Sequence, residues 1–137
     1  MKVEWQEYLS VGVAEIDYQH KQLFNKYSAF FAACNDESRD EEVIRLFYFL
    51  ETYVATHFAD EESLMQRVDF PDYQKHRQQH LMLAGKVTGL RERLVKEGPT
   101  PDFVCSAGLL MTGWLIEHIS IFDRALAQFV KEHQKAT

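Results

Sequence analysis

No stretch of this chain approaches the run of about 18 apolar residues that a membrane-spanning helix needs, so none is expected. The opening MKVEWQEYLS has no apolar segment behind basic residues, and no secretory signal is expected there. Basic residues are in the minority. Fifteen Lys and Arg against 21 Asp and Glu leave a net charge of -6, which argues against nucleic acid and against an anionic membrane surface. Cysteine is scarce: Cys34 and Cys105 are far apart and form no CxxC. Both are expected to be buried free thiols, and the chain to be cytoplasmic. Internal repeats, low-complexity tracts and linkers are also missing, so residues 1–137 are expected to form one domain. What is abundant is apolar mass. Hydrophobic residues make up 46% of the chain, with ten Phe, enough for a sizeable core.

The apolar residues fall into helical 3/4 steps in four stretches, at about 17–35, 39–66, 71–97 and 101–131. Residues 1–16 (Trp5, Tyr8, Val11, Val13, Ile16) show no helical period and predict an extended arm laid over a hydrophobic surface. Asp17 is expected to cap the first helix, ahead of the alternative that it supports a ligand from behind. Ser38-Arg39-Asp40-Glu41 has the form of a capping box for the second. Gly98-Pro99-Thr100-Pro101 closes the third helix and opens the fourth, with Thr100 as cap and Pro101 in the first turn. Short connections favour antiparallel neighbours. The fold class is therefore all-α, an up-down-up-down four-helix bundle with an extended N-terminal arm.

The inward stripes carry polar residues where a core needs apolar ones. His20 lies on the first stretch. His57 and Glu61 lie on the second, four residues apart. His76 and His80 have the same spacing on the third, and His118 and Asp123 lie on the fourth. Residues four apart share a helix face. These seven metal-type ligands point inward from four helices, too many for one ion and suited to two. Left unpaired, each buried polar group costs roughly 1–3 kcal/mol. Several together approach the roughly 5–15 kcal/mol stability of a whole domain. A metal pair satisfies them directly, since imidazole and carboxylate are good iron ligands. Five residues along an ideal helix turn about 140° beyond one circle, so His118 and Asp123 do not share a face on a regular helix. A local π-bulge is the favoured expectation, ahead of Asp123 reaching across from the edge of the stripe. Glu62 and Glu117, next to ligands, are expected to be exposed charges, and His133 to be solvated.

The series His20, His57-x3-Glu61, His76-x3-His80, His118-x4-Asp123 resembles the hemerythrin family at every ligand position. Val11-Gly12-Val13, Ile16-Asp17, Gln19-His20-Lys21 and Trp114-Leu115 fit the same pattern, and the resemblance runs from about Trp5 to Phe129. It implies that His76, His80 and His118 bind one iron and that His20 and His57 bind the other. Glu61, Asp123 and an oxo or hydroxo group would bridge the two. The first iron then has six ligands and the second five, which leaves one position for dioxygen. The resemblance also implies an apolar wall of Phe58, Trp114, Leu115 and Ile119. Leu23 is a further candidate for that wall, although an ordinary core role is preferred for it. One departure is Leu126, where many relatives carry Tyr.

The leading expectation is reversible dioxygen binding at a non-haem di-iron centre, for storage, delivery or sensing, without enzymatic turnover. Carboxylate-rich di-iron oxidases use Glu-x-x-His pairs, and no such pair with a matching partner occurs here. The alternative is an enzyme using the same centre on nitric oxide or peroxide. A structural zinc site fits poorly, because zinc prefers four ligands. A metal-free polar core is opposed by the cost of its unpaired groups.

Overall fold

Apolar residues at 3/4 spacing build three long helices, α1 (Ala14–Cys34), α2 (Asp40–Arg67) and α3 (Tyr73–Glu97), in a computed structural model that describes residues 5–34, 40–110, 113 and 116–135. A fourth rod follows in pieces: α4 (Pro101–Leu109), α5 (Ile116–His118), a π-helical turn (Ile119–Asp123) and α6 (Arg124–Lys135). Helix α1 packs on α2, α2 on α3 and α3 on α4. The chain is an all-α four-helix bundle, with no strand among the described residues. None of its described helices is long and apolar enough to cross a membrane.

The ends of the elements show how the sequence sets the geometry. Gly98 takes a φ of 79° and donates its N–H to the Leu94 carbonyl, a left-handed stop that glycine adopts without strain. Thr100 Oγ1 then accepts from the Phe103 N–H at 3.1 Å, with Pro101 in the first turn of α4. The proposed capping Ser38 lies outside the described residues.

Three expectations need correction here. The arm is not extended throughout: Glu7–Leu9 forms a 3-10 turn, and α1 starts at Ala14 instead of Asp17. Asp17 therefore stands inside the first turn of α1, where it holds the arm instead of capping the helix. Its Oδ2 accepts from Ser10 Oγ at 2.5 Å and its Oδ1 from the Val11 N–H at 2.8 Å. This contact presses Leu9 and Val11 into the interior. The fourth helix runs on to Lys135, and the π-bulge favoured from the sequence is present in it as the turn Ile119–Asp123. Cys105 is exposed, not buried, while the side chain of Cys34 lies outside the described residues.

The core has two apolar layers. One is aromatic-rich and includes Phe24, Phe30, Phe47, Phe58, Phe103 and Ile119. The other is smaller, with Val11, Ile16, Met65, Phe70, Leu126 and Val130. Along each of the four rods, the polar residues of the inward stripe fall between members of these two layers.

Candidate metal centre

Between the two layers, His20, His57, Glu61, His76, His80, His118 and Asp123 are each no more than 2% exposed. Helices α2 and α3 supply their share by simple periodicity: one turn separates His57 from Glu61 and His76 from His80. The fourth rod needs a different device. The π-helical turn covers Ile119–Asp123, and the Arg124 N–H reaches back five residues to the Ile119 carbonyl. The wider turn brings His118 and Asp123, five apart, to the same side, and Asp123 Oδ1 lies 3.0 Å from His118 Nε2.

The donor atoms form two overlapping groups. In one, donor atoms of Glu61, His76, His80, His118 and Asp123 all lie within 4.8 Å of one another. In the other, those of His20, His57, Glu61 and Asp123 do so. The two carboxylates belong to both. Asp123 Oδ2 accepts from His20 Nε2 at 2.7 Å, and Glu61 Oε1 lies 3.0 Å from His80 Nε2 and 3.3 Å from His76 Nε2.

The outward nitrogens of two imidazoles fix their tautomers. His57 Nδ1 donates to Gln19 Oε1 at 2.6 Å, and His80 Nδ1 donates to Glu62 Oε2 at 3.0 Å. A neutral imidazole has one N–H, so each Nε2 then turns a lone pair toward the cluster. His57 Nε2 meets Glu61 Oε2 at 3.6 Å, and neither atom has a hydrogen-bond partner. His80 Nε2 meets Glu61 Oε1 at 3.0 Å. Lone pairs facing carboxylate oxygens in a dry interior repel unless a positive charge stands between them. The donor set therefore fits cations: imidazole and carboxylate, with no thiolate, suit iron.

In the metal-free protein, protons supply the positive charge. Burial opposes the charged form of His118, but Asp123 and Glu61 outweigh it and raise the imidazole to about 9. His57 and His76 are raised against burial by the same two carboxylates. Burial and the Asp123 charge push the Glu61 carboxyl up, yet His57, His118 and His76 draw it down to about 2. Asp123 lies well below the usual carboxylate range, since the facing imidazoles overcome its burial. Metal binding at such a site displaces protons.

Apolar side chains cover the cluster. Phe58 stacks on His80 with ring centroids 3.9 Å apart, and Phe122 stacks on His118 at 5.5 Å. Ile119 and Leu23 are fully buried in the same layer as Phe58. The expected wall residues Trp114 and Leu115 lie outside the described residues.

Gln19 and Glu62 were not foreseen in these roles. Glu62 is not the exposed charge expected of it, with a side chain 26% exposed and bonded to His80. The Gln19 contact joins α1 to α2 and the Glu62 contact joins α2 to α3, so periodicity within one helix gives no sign of either. Exposed His133 stacks on Phe129.

The chain is similar in sequence to known proteins. The family model described as Hemerythrin HHE cation binding domain matches residues 11–134. A Bacteriohemerythrin of Stenotrophomonas maltophilia is 28% identical over 129 residues, covering 94% of this chain and 82% of the relative. A Myohemerythrin of Sipunculus nudus is 31% identical over 120 residues, covering 87% and 86%. A Bacteriohemerythrin of Ralstonia nicotianae is 24% identical over 132 residues, covering 95% and 90%.

Proposed function

The chain belongs to the hemerythrin family, and from that membership we propose that it binds dioxygen reversibly at a pair of iron ions held in the buried polar layer. His76, His80 and His118 would hold one ion, and His20 and His57 the other. Glu61 and Asp123 would bridge them, with an oxo or hydroxo group between. The observation that carries this reading is the double membership of the two carboxylates: each has a donor atom within 4.8 Å of both sets of imidazoles. When bound, the iron pair supplies a redox-active seat for a small neutral gas.

The protein's own residues do the rest. Glu61 and Asp123 offset the charge of the ions. Gln19 and Glu62 hold two imidazoles with Nε2 turned inward. Phe58, Ile119 and Leu23 are each 6% exposed or less and exclude water from one side of the layer. A dry wall slows the water and proton access that promotes irreversible oxidation. Storage, delivery and sensing all use this same binding step.

The test is the optical spectrum of the iron-loaded protein as oxygen is admitted and then removed under vacuum. Repeatable cycling between two spectra supports a carrier. Continuous consumption of nitric oxide or peroxide without such cycling would instead make the chain an enzyme.

A further inference from the structure

Behind the two imidazoles whose outward nitrogens are bonded stand acceptors of different charge. Gln19 Oε1 accepts from His57 Nδ1 at 2.6 Å, and Gln19 Nε2 donates to Asp60 Oδ2 at 2.9 Å. An amide can do both without carrying charge, since it has an acceptor and a donor on one group. A carboxylate at position 19 would face the Asp60 carboxylate at that distance. Asp60 therefore orients the amide and favours a neutral acceptor behind His57. Behind His80 the acceptor is a carboxylate: Glu62 Oε2 lies 3.0 Å from Nδ1, and Glu62 Oε1 lies 3.5 Å from Arg77 Nε.

Hydrogen bonds to ionised acceptors are shorter and about twice as strong as neutral ones. A carboxylate behind a metal-bound imidazole also orients it and raises its basicity. We propose that Gln19 and Glu62 are positioning residues of unequal charge that make the His57 half and the His80 half of the cluster chemically inequivalent. This rests on the metal-binding reading above. Glu62 makes His80 the more electron-rich donor, in the half that already has three imidazoles. That half stabilises the higher metal charge. Gln19 holds His57 in the same tautomer without adding charge, which leaves the two-imidazole half the weaker donor. Neither residue is in the proposed ligand set.

Gln19 and Asp60 also line an open cleft of about 580 Å³ between α1 and α2, together with Tyr18, Tyr53 and Arg67. Changes there are made near the surface, and the bundle has room to accommodate them.

Two variants test the inequivalence. Glu62→Gln makes the acceptor behind His80 neutral. Gln19→Glu combined with Asp60→Asn puts a carboxylate behind His57, keeps the link to position 60 with its polarity reversed, and leaves the net charge unchanged. The readouts are the midpoint potential of the iron-loaded protein, by spectroelectrochemistry with soluble mediators, and zinc affinity in competition with a chromogenic chelator. Zinc has no redox chemistry, so it reports donor strength alone. Glu62→Gln is expected to raise the potential and weaken zinc binding about tenfold, the lower end for loss of such a partner. The paired variant is expected to lower the potential and tighten zinc binding. Glu92→Gln, an exposed charge loss on α3, should move neither. Shifts of the same sign in both variants, or no shift in either, would overturn the proposal. Wild-type protein that fails to hold two ions would instead overturn the metal-binding reading beneath it.

Discussion

Asp123 Oδ1 lies 3.0 Å from His118 Nε2 although five residues separate the two along the chain, and a π-helical turn accounts for the approach. An uninterrupted α-helix would carry Asp123 about 140° away from His118. The turn thus converts a spacing unsuited to a helix into a carboxylate that faces two sets of imidazoles.

Removing the charge of Asp123 should be read directly at His118. After burial, which opposes charging, Asp123 is the main cause of the raised His118 value of about 9. In metal-free Asp123→Asn, His118 should titrate nearer the ordinary imidazole range, followed by its ring resonances in NMR. The same variant should not retain a coupled metal pair.

The metal-free protein should have a stability maximum in mildly acidic solution. His118 is raised to about 9 in the folded state, so its contribution is complete below the unfolded value of 6.5 and fades as pH rises through about 9. Glu61 is lowered to about 2, so its contribution is complete above the unfolded value of 4.5 and fades as pH falls through about 2. Denaturant midpoints across pH should peak between those unfolded values, 4.5 and 6.5. Iron uptake runs the other way with acid, because protons compete for the ligands.

Phe58→Ala should weaken both fold and site. The ring is 6% exposed and stacks on His80 at 3.9 Å. Truncating a buried Phe costs about 3–5 kcal/mol. The iron-loaded variant should also lose its oxygenated spectrum faster than wild type, because water gains access to the layer. A melt and a spectral time course measure the two effects separately.

Thr100→Ala should cost stability without touching the centre. The Thr100 side chain caps α4 through the Phe103 N–H, and loss of such a cap costs about 1 kcal/mol. A fall in Tm of about 3 °C is expected for a chain of this size. Iron content should be unchanged.

Much of the buried polar cluster was legible in the sequence because its members obey helical arithmetic. His57 with Glu61, and His76 with His80, declare a common face by spacing alone, and the five-residue step from His118 to Asp123 signals a local irregularity. Contacts between helices were not legible. Gln19 reaches His57 from α1, and Glu62 reaches His80 from α2, because of how neighbouring helices are rotated, which no single-helix period encodes. Asp17 differs from its expected role for a related reason. A cap and a clasp look alike in sequence, and only the start of α1 at Ala14 separates them. The habits of its residue type point to a core thiol at Cys105, but its position on α4 faces outward.

The most direct test of the central claim is the magnetic susceptibility of the oxidised protein with its iron content determined in the same sample. With Glu61 and Asp123 within reach of both sets of imidazoles, the protein should hold two irons per chain, strongly coupled through the proposed oxo bridge, with suppressed magnetism. One iron per chain, or two that behave as independent paramagnetic ions, would contradict the account.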